Sequence, residues 1–77
     1  MRFDTLMFLT AEVGSVQGVL TLFRVYGLEP PNTSAVEKWF QRGAIPGGWL
    51  AMILSILEVD RGKPVSVSKY IKKEASG

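Results

Sequence analysis

The chain has 77 residues, and 47% of them are hydrophobic, so it can form one domain with a small buried core. It contains no cysteine and no histidine, which excludes disulfides, leaves only carboxylates as metal ligands, and removes the commonest catalytic bases and nucleophiles. The net charge of +2 is unevenly distributed: residues 1–60 carry four basic and six acidic residues, whereas residues 61–77 carry five and one. This basic end suits a phosphate, a lipid headgroup or an acidic protein, or it is a solvated tail.

The first apolar pattern, in "RFDTLMFLTAEV", predicts a helix over residues 3–13 that ends at a left-handed Gly14. Phe8 is left outside the inward face of this helix. That face is expected to consist of four apolar residues: Phe3, Leu6, Met7 and Leu9.

The second apolar pattern predicts a helix that begins after an N-cap at Ser15 and ends at Tyr26, before Gly27. The segment "LEPPN" follows, and its two prolines predict an extended turn. The helix has one apolar stripe with helical spacing: Val16, Val19, Leu20 and Phe23.

A third, short helix is predicted over residues 35–42, with a capping box formed by Ser34 and Glu37 and a left-handed end at Gly43. Eight residues are too few for a stable isolated helix, so its neighbours must hold it in place. The expected inward residues are Val36, Trp39 and Phe40. The expected outward residues are Ser34, Ala35, Lys38, Gln41 and Arg42, with Glu37 at the border.

A fourth helix is predicted to have Pro46 in its first turn and to end in the turn at residues 60–64. The final segment "VSVSKYIKK" fits either a short strand or a helix over residues 67–73 capped by Ser66, and we favour the helix. The sequence therefore predicts an all-α fold, a compact bundle of four to five short helices in a single domain over residues 1–77. The fourth helix is expected to supply five core residues: Trp49, Leu50, Ile53, Ile56 and Leu57.

The helices within residues 15–42 have the order and length of a helix-turn-helix, in which the second helix lies across the first with its N-terminal residues free to enter the DNA major groove. Lysine and arginine there can contact phosphates or guanine edges, and short polar side chains can contact bases or backbone. Asn32, Gln41 and Arg42 are candidates on this ground. Trp39 and Trp49 are expected to be core anchors rather than ligand-stacking groups.

The segment "TSAVEKWFQRGAIPGGWLAMIL" resembles the end of the Cro- and CI-type phage repressor domain, the lambda repressor-like family. Six residues carry the resemblance: Val36, Trp39, Arg42, Gly43, Ile45 and Pro46. The segment "GSVQ" is similar to the entry of the first motif helix in that family, which implies that Gln17 contacts a phosphate. The resemblance also implies base-reading roles for Thr33, Ser34, Glu37 and Lys38. Alternatively, Glu37 is a partner in the helix cap and Lys38 is a charged side chain exposed to solvent.

The first hypothesis is therefore a small phage- or prophage-type transcriptional regulator, a Cro-like repressor that binds double-stranded operator DNA as a homodimer. Dimerisation is inferred because one domain with few basic residues would bind weakly, and the basic segment 61–77 is a candidate tail or dimer element. Phe8, Met52 and Val65 are apolar residues left over for an interface. The alternative is a protein-interaction module on the same frame, such as an antitoxin, an anti-repressor or a host-takeover factor.

Enzyme activity, a cofactor, a small-molecule substrate and a membrane partner are not expected. The acidic residues are scattered, and no glycine-rich phosphate loop follows a strand. The apolar segment "WLAMILSILEV" has 11 residues, whereas a membrane span needs roughly 20. No signal peptide is recognised, and the lack of cysteine suits a reducing compartment, so we expect the cytoplasm, here of a bacterial host.

Overall fold

Four helices pack around one core in the computed structural model, which describes residues 2–72. The all-α bundle predicted from the sequence is confirmed. In chain order the elements are β1 (Arg2–Phe3), α1 (Thr5–Phe8) continued by a π-helical turn (Leu9–Val13), α2 (Val16–Val25), α3 (Thr33–Arg42), α4 (Gly47–Arg61), a 3₁₀ turn (Val67–Tyr70) and β2 (Ile71–Lys72).

The first helix begins at Thr5 and is capped by Asp4, whose side chain accepts a hydrogen bond from the Met7 amide at 3.1 Å. It buries Phe8 and Leu9 completely and leaves Leu6 and Met7 about half exposed. Of the predicted inward residues, Leu9 is buried and Phe3 packs against the core, although Phe3 lies in β1 and not in the helix. The prediction was wrong for Leu6 and Met7, and Phe8 is a core residue rather than interface material. These consecutive apolar residues allow two helical registers. The register that forms turns Glu12 inward, where it finds partners described below.

The second helix matches its prediction closely. Ser15 accepts a hydrogen bond from the Gly18 amide at 3.1 Å and caps α2, while Val19, Leu20 and Phe23 are buried. Gly18 has a packing role, since a Cβ added there would lie 2.4 Å from the carbonyl oxygen of Val13. The absence of a side chain at this position therefore lets α2 approach the end of the preceding helix.

The third helix begins two residues earlier than predicted. Asn32, in an extended conformation after Pro31, accepts a hydrogen bond from the Ser34 amide at 2.9 Å, so the helix starts at Thr33. The capping box at Ser34 and Glu37 was wrong, because Ser34 already lies within the first turn. The left-handed end at Gly43 is confirmed, with φ of +66° and its amide donating to the Trp39 carbonyl at 2.9 Å.

The fourth helix begins at Gly47 and ends at a left-handed Gly62, so Pro46 is its N-cap and not, as predicted, a residue of its first turn. Beyond it, the predicted helix over residues 67–73 is only a 3₁₀ turn, for which Ser66 makes no side-chain cap. The chain then extends and β2 pairs antiparallel with β1, Phe3 opposite Ile71. A helix could not make this pairing, which needs free backbone groups from the other end of the chain. Residue 73 lies outside the described part.

Two aromatic clusters fill the core. In the first, the rings of Phe3, Phe8 and Tyr70 form a triangle with centroids 5.5 to 6.1 Å apart. Trp49 lies 5.7 Å from Phe23 and 6.0 Å from Trp39 and so joins three helices; Trp39 is 4% exposed and Trp49 is half-buried. The two tryptophans are therefore core anchors, as predicted. Their packing supplies the neighbours that α3 requires.

Within residues 2–72, no single helix is long and apolar enough to cross a membrane. Two helix pairs reach that length and hydropathy only when taken together, across bends of 60° and 97°.

Candidate functional site

The candidate site is the outer side of α3. The structure leaves all eight of the side chains proposed from the sequence exposed: Gln17, Asn32, Thr33, Ser34, Glu37, Lys38, Gln41 and Arg42. Seven of them lie on α3 or at its cap and are brought together by the helix itself. Gln17 lies apart from them, in the first turn of α2.

The side chains of α3 divide into two edges, because successive residues turn by about 100° around an α-helix. Glu37 lies on one edge with Thr33 and Gln41. Lys38 and Arg42 lie on the other edge, one turn apart. In the part of the chain that the structure describes, neither cation takes part in an ion pair. The basic edge of α3 is therefore available to a partner and is separated from the acidic side chain of the same helix.

A groove runs beside this basic edge, between α3 and the turn that leads to α4. It has a volume of about 410 Å³ and is called the basic groove below. Lys38 and Arg42 are the two cations of its lining. The other lining residues are apolar and form its floor: Ala35, Trp39, Ala44, Ile45 and Pro46. The floor follows from the left-handed Gly43 and the 97° change of direction between the two helices, which fold "AIP" back against α3.

Sequence reasoning identified the cations of this groove but missed its floor. Ile45 and Pro46 were noted for the resemblance and for starting a helix, and Ala44 was not considered. The available signal was the run of three apolar residues after a helix-ending glycine, because such a run cannot all enter the core within one tight turn. Ala44 and Pro46 are exposed, and Ile45 is half-buried.

Two other cations, Arg61 and Lys72, are paired with carboxylates. Glu12, whose side chain is only 10% exposed, forms an ion pair with Arg61 and accepts a hydrogen bond from the Tyr70 hydroxyl. Arg61 also donates to the Glu12 carbonyl oxygen at 3.1 Å. Lys72 Nζ lies 3.0 Å from Asp4 Oδ2. We call these five residues the terminal clasp, because they tie the segment 61–72 to the first helix and its N-cap.

The hydrogen bonds of the clasp shift the titration of its members. The bond from Tyr70, followed by that from Arg61, holds the pKa of the Glu12 carboxyl below its ordinary value, since both stabilise the carboxylate. The same bond raises the pKa of the Tyr70 phenol. Lys72 and the Met7 amide lower the pKa of Asp4. The contacts of the clasp therefore stabilise the ionised forms of Glu12 and Asp4, which are the forms present at neutral pH.

The clasp also reduces the number of unpaired cations in the basic segment 61–77. Arg61 and Lys72 are engaged within the chain, which leaves Lys63 and Lys69 as exposed cations of this segment among the residues described. Of the apolar residues proposed for an interface, Met52 is 44% exposed, Val65 packs partly against the core, and Phe8 is buried. The strongest concentration of free positive charge on one helix is thus the basic edge of α3.

Comparison with known proteins yields no match: no protein-family model, no curated protein and no solved structure is similar enough to this chain to be scored as related.

Proposed function

We propose that this chain is a small transcriptional regulator that binds operator DNA through α3, as a homodimer. One observation carries the proposal. Lys38 and Arg42 stand one turn apart on the exposed edge of α3, outside any ion pair of residues 2–72, while the buried Trp39 fixes the helix beneath them.

The start of α3 suits a phosphate or base contact. Asn32 caps one amide of the first turn, and short polar side chains at Thr33 and Ser34 lie exposed beside it. Remaining amides at a helix N-terminus attract phosphate oxygens, and short polar side chains let the backbone approach DNA closely. Lys38 and Arg42 add phosphate or guanine contacts further along the helix. The protein acts by occupancy, because it excludes other proteins from the DNA it covers.

Homodimerisation supplies the affinity that one domain lacks. Two-fold pairing doubles the phosphate contacts and requires half-sites about one DNA turn apart. Three exposed apolar side chains lie around one shallow hollow: Met52 and Val59 on α4, and Leu28 after α2. This surface would form the dimer interface.

Selection of duplexes bound by the full chain from a random pool tests this function. We expect enrichment of a palindrome whose half-sites lie about one turn apart, and binding that weakens steeply with added salt because phosphate contacts release counterions. A pool with no enriched sequence, together with salt-insensitive or absent binding, would refute the regulator and leave the protein-interaction module as the function of this frame.

A further inference from the structure

The basic groove has an apolar surface that phosphate binding would not use. Phosphate contacts need cations, yet beside Lys38 and Arg42 the groove has an apolar floor that includes Ala44, Ile45 and the edge of Trp39. Ala44 is exposed and Ile45 is half-buried, so this floor is accessible from outside. A phosphate backbone, which is charged and hydrated, would leave that apolar surface unmatched.

The charge of the groove specifies the chemistry of an occupant. No lining residue is acidic, and Glu37 lies on the opposite edge of α3. By contrast, the hollow near Met52 and Val59, which the proposed homodimer would use, has no charged lining residue and so specifies no second partner. An apolar floor flanked by two cations is complementary to an apolar side chain flanked by carboxylates.

We propose that the basic groove binds an acidic, apolar segment of a partner protein, and that this segment and DNA exclude each other. An apolar side chain of the segment packs on Ala44 and Ile45, and its carboxylates pair with Lys38 and Arg42. The mutual exclusion of segment and DNA rests on the proposed function, because it requires that DNA use the same two cations. Binding of the segment itself does not depend on the proposed function.

The spacing of the cations limits the spacing of the carboxylates. Side chains at i and i+4 on a helix have Cβ atoms about 6 Å apart. Residues i and i+2 of an extended peptide point to the same side about 7 Å apart, and the residue between them points to the opposite side. Two acidic residues facing α3 therefore match the cations, while an apolar residue between them faces the turn that carries Ala44 and Ile45. Exposed ion pairs contribute little on their own, so the apolar contact is needed as well. Both features should therefore be required for binding.

A peptide-display experiment tests the groove. Random 12-residue peptides are selected on the immobilised full chain, and those that also bind the Lys38→Gln/Arg42→Gln variant are removed. We expect enriched peptides in which aspartate or glutamate flanks a large apolar residue. Their Kd should rise at least tenfold for the double variant and less than twofold for Lys63→Gln/Lys69→Gln, which removes two exposed cations elsewhere.

A floor variant and a fold control complete the test. Ala44→Glu puts a carboxylate on the floor at an exposed position, so it should also weaken the selected peptides about tenfold. Each variant should keep the melting temperature of the parent chain. Enrichment without acidic and apolar residues together, or peptides that bind Lys38→Gln/Arg42→Gln as tightly as the parent, would overturn the proposal.

Competition with a duplex recovered by the DNA selection separates the two proposals. Displacement of the duplex by a selected peptide supports mutual exclusion, and simultaneous binding overturns it. Recovery of a duplex without any acidic, apolar peptide refutes the groove alone. Recovery of such peptides without any duplex supports the groove and refutes the regulator.

Discussion

The outer face of α3 and the terminal clasp use cations in opposite ways. In the clasp, Arg61 and Lys72 are paired with Glu12 and Asp4, so their charge stabilises the fold. On α3, Lys38 and Arg42 are exposed and belong to no ion pair formed within residues 2–72. Their charge adds little to the fold and remains available for a partner.

This difference shows why the position of a charge matters more than the number of charges. Residues 61–77 have the largest excess of basic residues in the sequence, with five against one acidic residue. Two of those cations are nevertheless neutralised by carboxylates that lie near the other end of the chain. The third helix has only two cations and one carboxylate, but the helical repeat puts that carboxylate on the far edge.

The largest loss of stability is expected from a change in the buried side of α3. Trp39→Ala should destabilise the fold by about 3–5 kcal/mol, because it removes a large buried ring that contacts Trp49. Thermal and urea unfolding of the full chain measure the loss. Gln41→Ala, on the exposed side of the same helix, should change stability by less than about 0.5 kcal/mol. Equal losses for the two variants would mean that the inner face of α3 is misplaced.

A smaller loss should follow when the clasp is broken. Glu12→Gln keeps the side-chain volume but removes the charge that Arg61 and Tyr70 share, and it should cost about 1–3 kcal/mol. Glu29→Gln, at an exposed position, is the matched change of charge and should be nearly neutral. DNA affinity measured below the melting temperature should be unchanged in both. A Glu12→Gln protein as stable as Glu29→Gln would show that the clasp does not hold the fold.

Acid should weaken the clasp selectively. The folded-state pKa values of Glu12 and Asp4 are lowered, so their stabilisation is complete above the unfolded values of about 4 and is lost as the pH falls through the folded values. The melting temperature of the parent chain should therefore fall below about pH 4. The fall should be shallower in Glu12→Gln, which has already lost one of the two groups. Parallel acid profiles would contradict this origin of the pH dependence.

The core of α2 and α3 could be predicted from the sequence because it depends on local spacing. The stripe of Val19, Leu20 and Phe23, the Ser15 cap and the left-handed Gly43 each follow from residues within one or two turns. The start of α3 could not be located as well. Three consecutive residues, Asn32 to Ser34, are all good caps, and local sequence does not decide between them; in the structure Asn32 has the extended backbone of a cap and accepts from the Ser34 amide.

The clasp could not be predicted, because its contacts join residues far apart in the chain. The prediction for the first helix rested on the spacing of its apolar residues alone, and the run from Leu6 to Leu9 fits more than one register. Glu12 can turn inward only because Arg61 and Tyr70 reach it from the other end. The floor of the basic groove was missed for a related reason, since it depends on the direction in which the chain leaves Gly43.

The smallest expected effect on stability is at the candidate site itself. Lys38→Ala combined with Arg42→Ala should change the free energy of unfolding by less than about 0.5 kcal/mol, because both side chains are exposed and no ion pair of theirs is formed within the described chain. Chemical unfolding at pH 7 measures this directly. A loss comparable to that of Glu12→Gln would show that these cations stabilise the fold.

The salt dependence of duplex binding in two single variants tests the central claim most directly. Lys38→Gln and Lys72→Gln each remove one cation, the first from the basic edge of α3 and the second from the clasp. In a plot of log affinity against log salt concentration, Lys38→Gln should make the slope shallower by about 1 per binding domain, and Lys72→Gln should leave it unchanged. Equal slopes for the two variants, or a change confined to Lys72→Gln, would contradict the assignment of α3 as the DNA-binding surface.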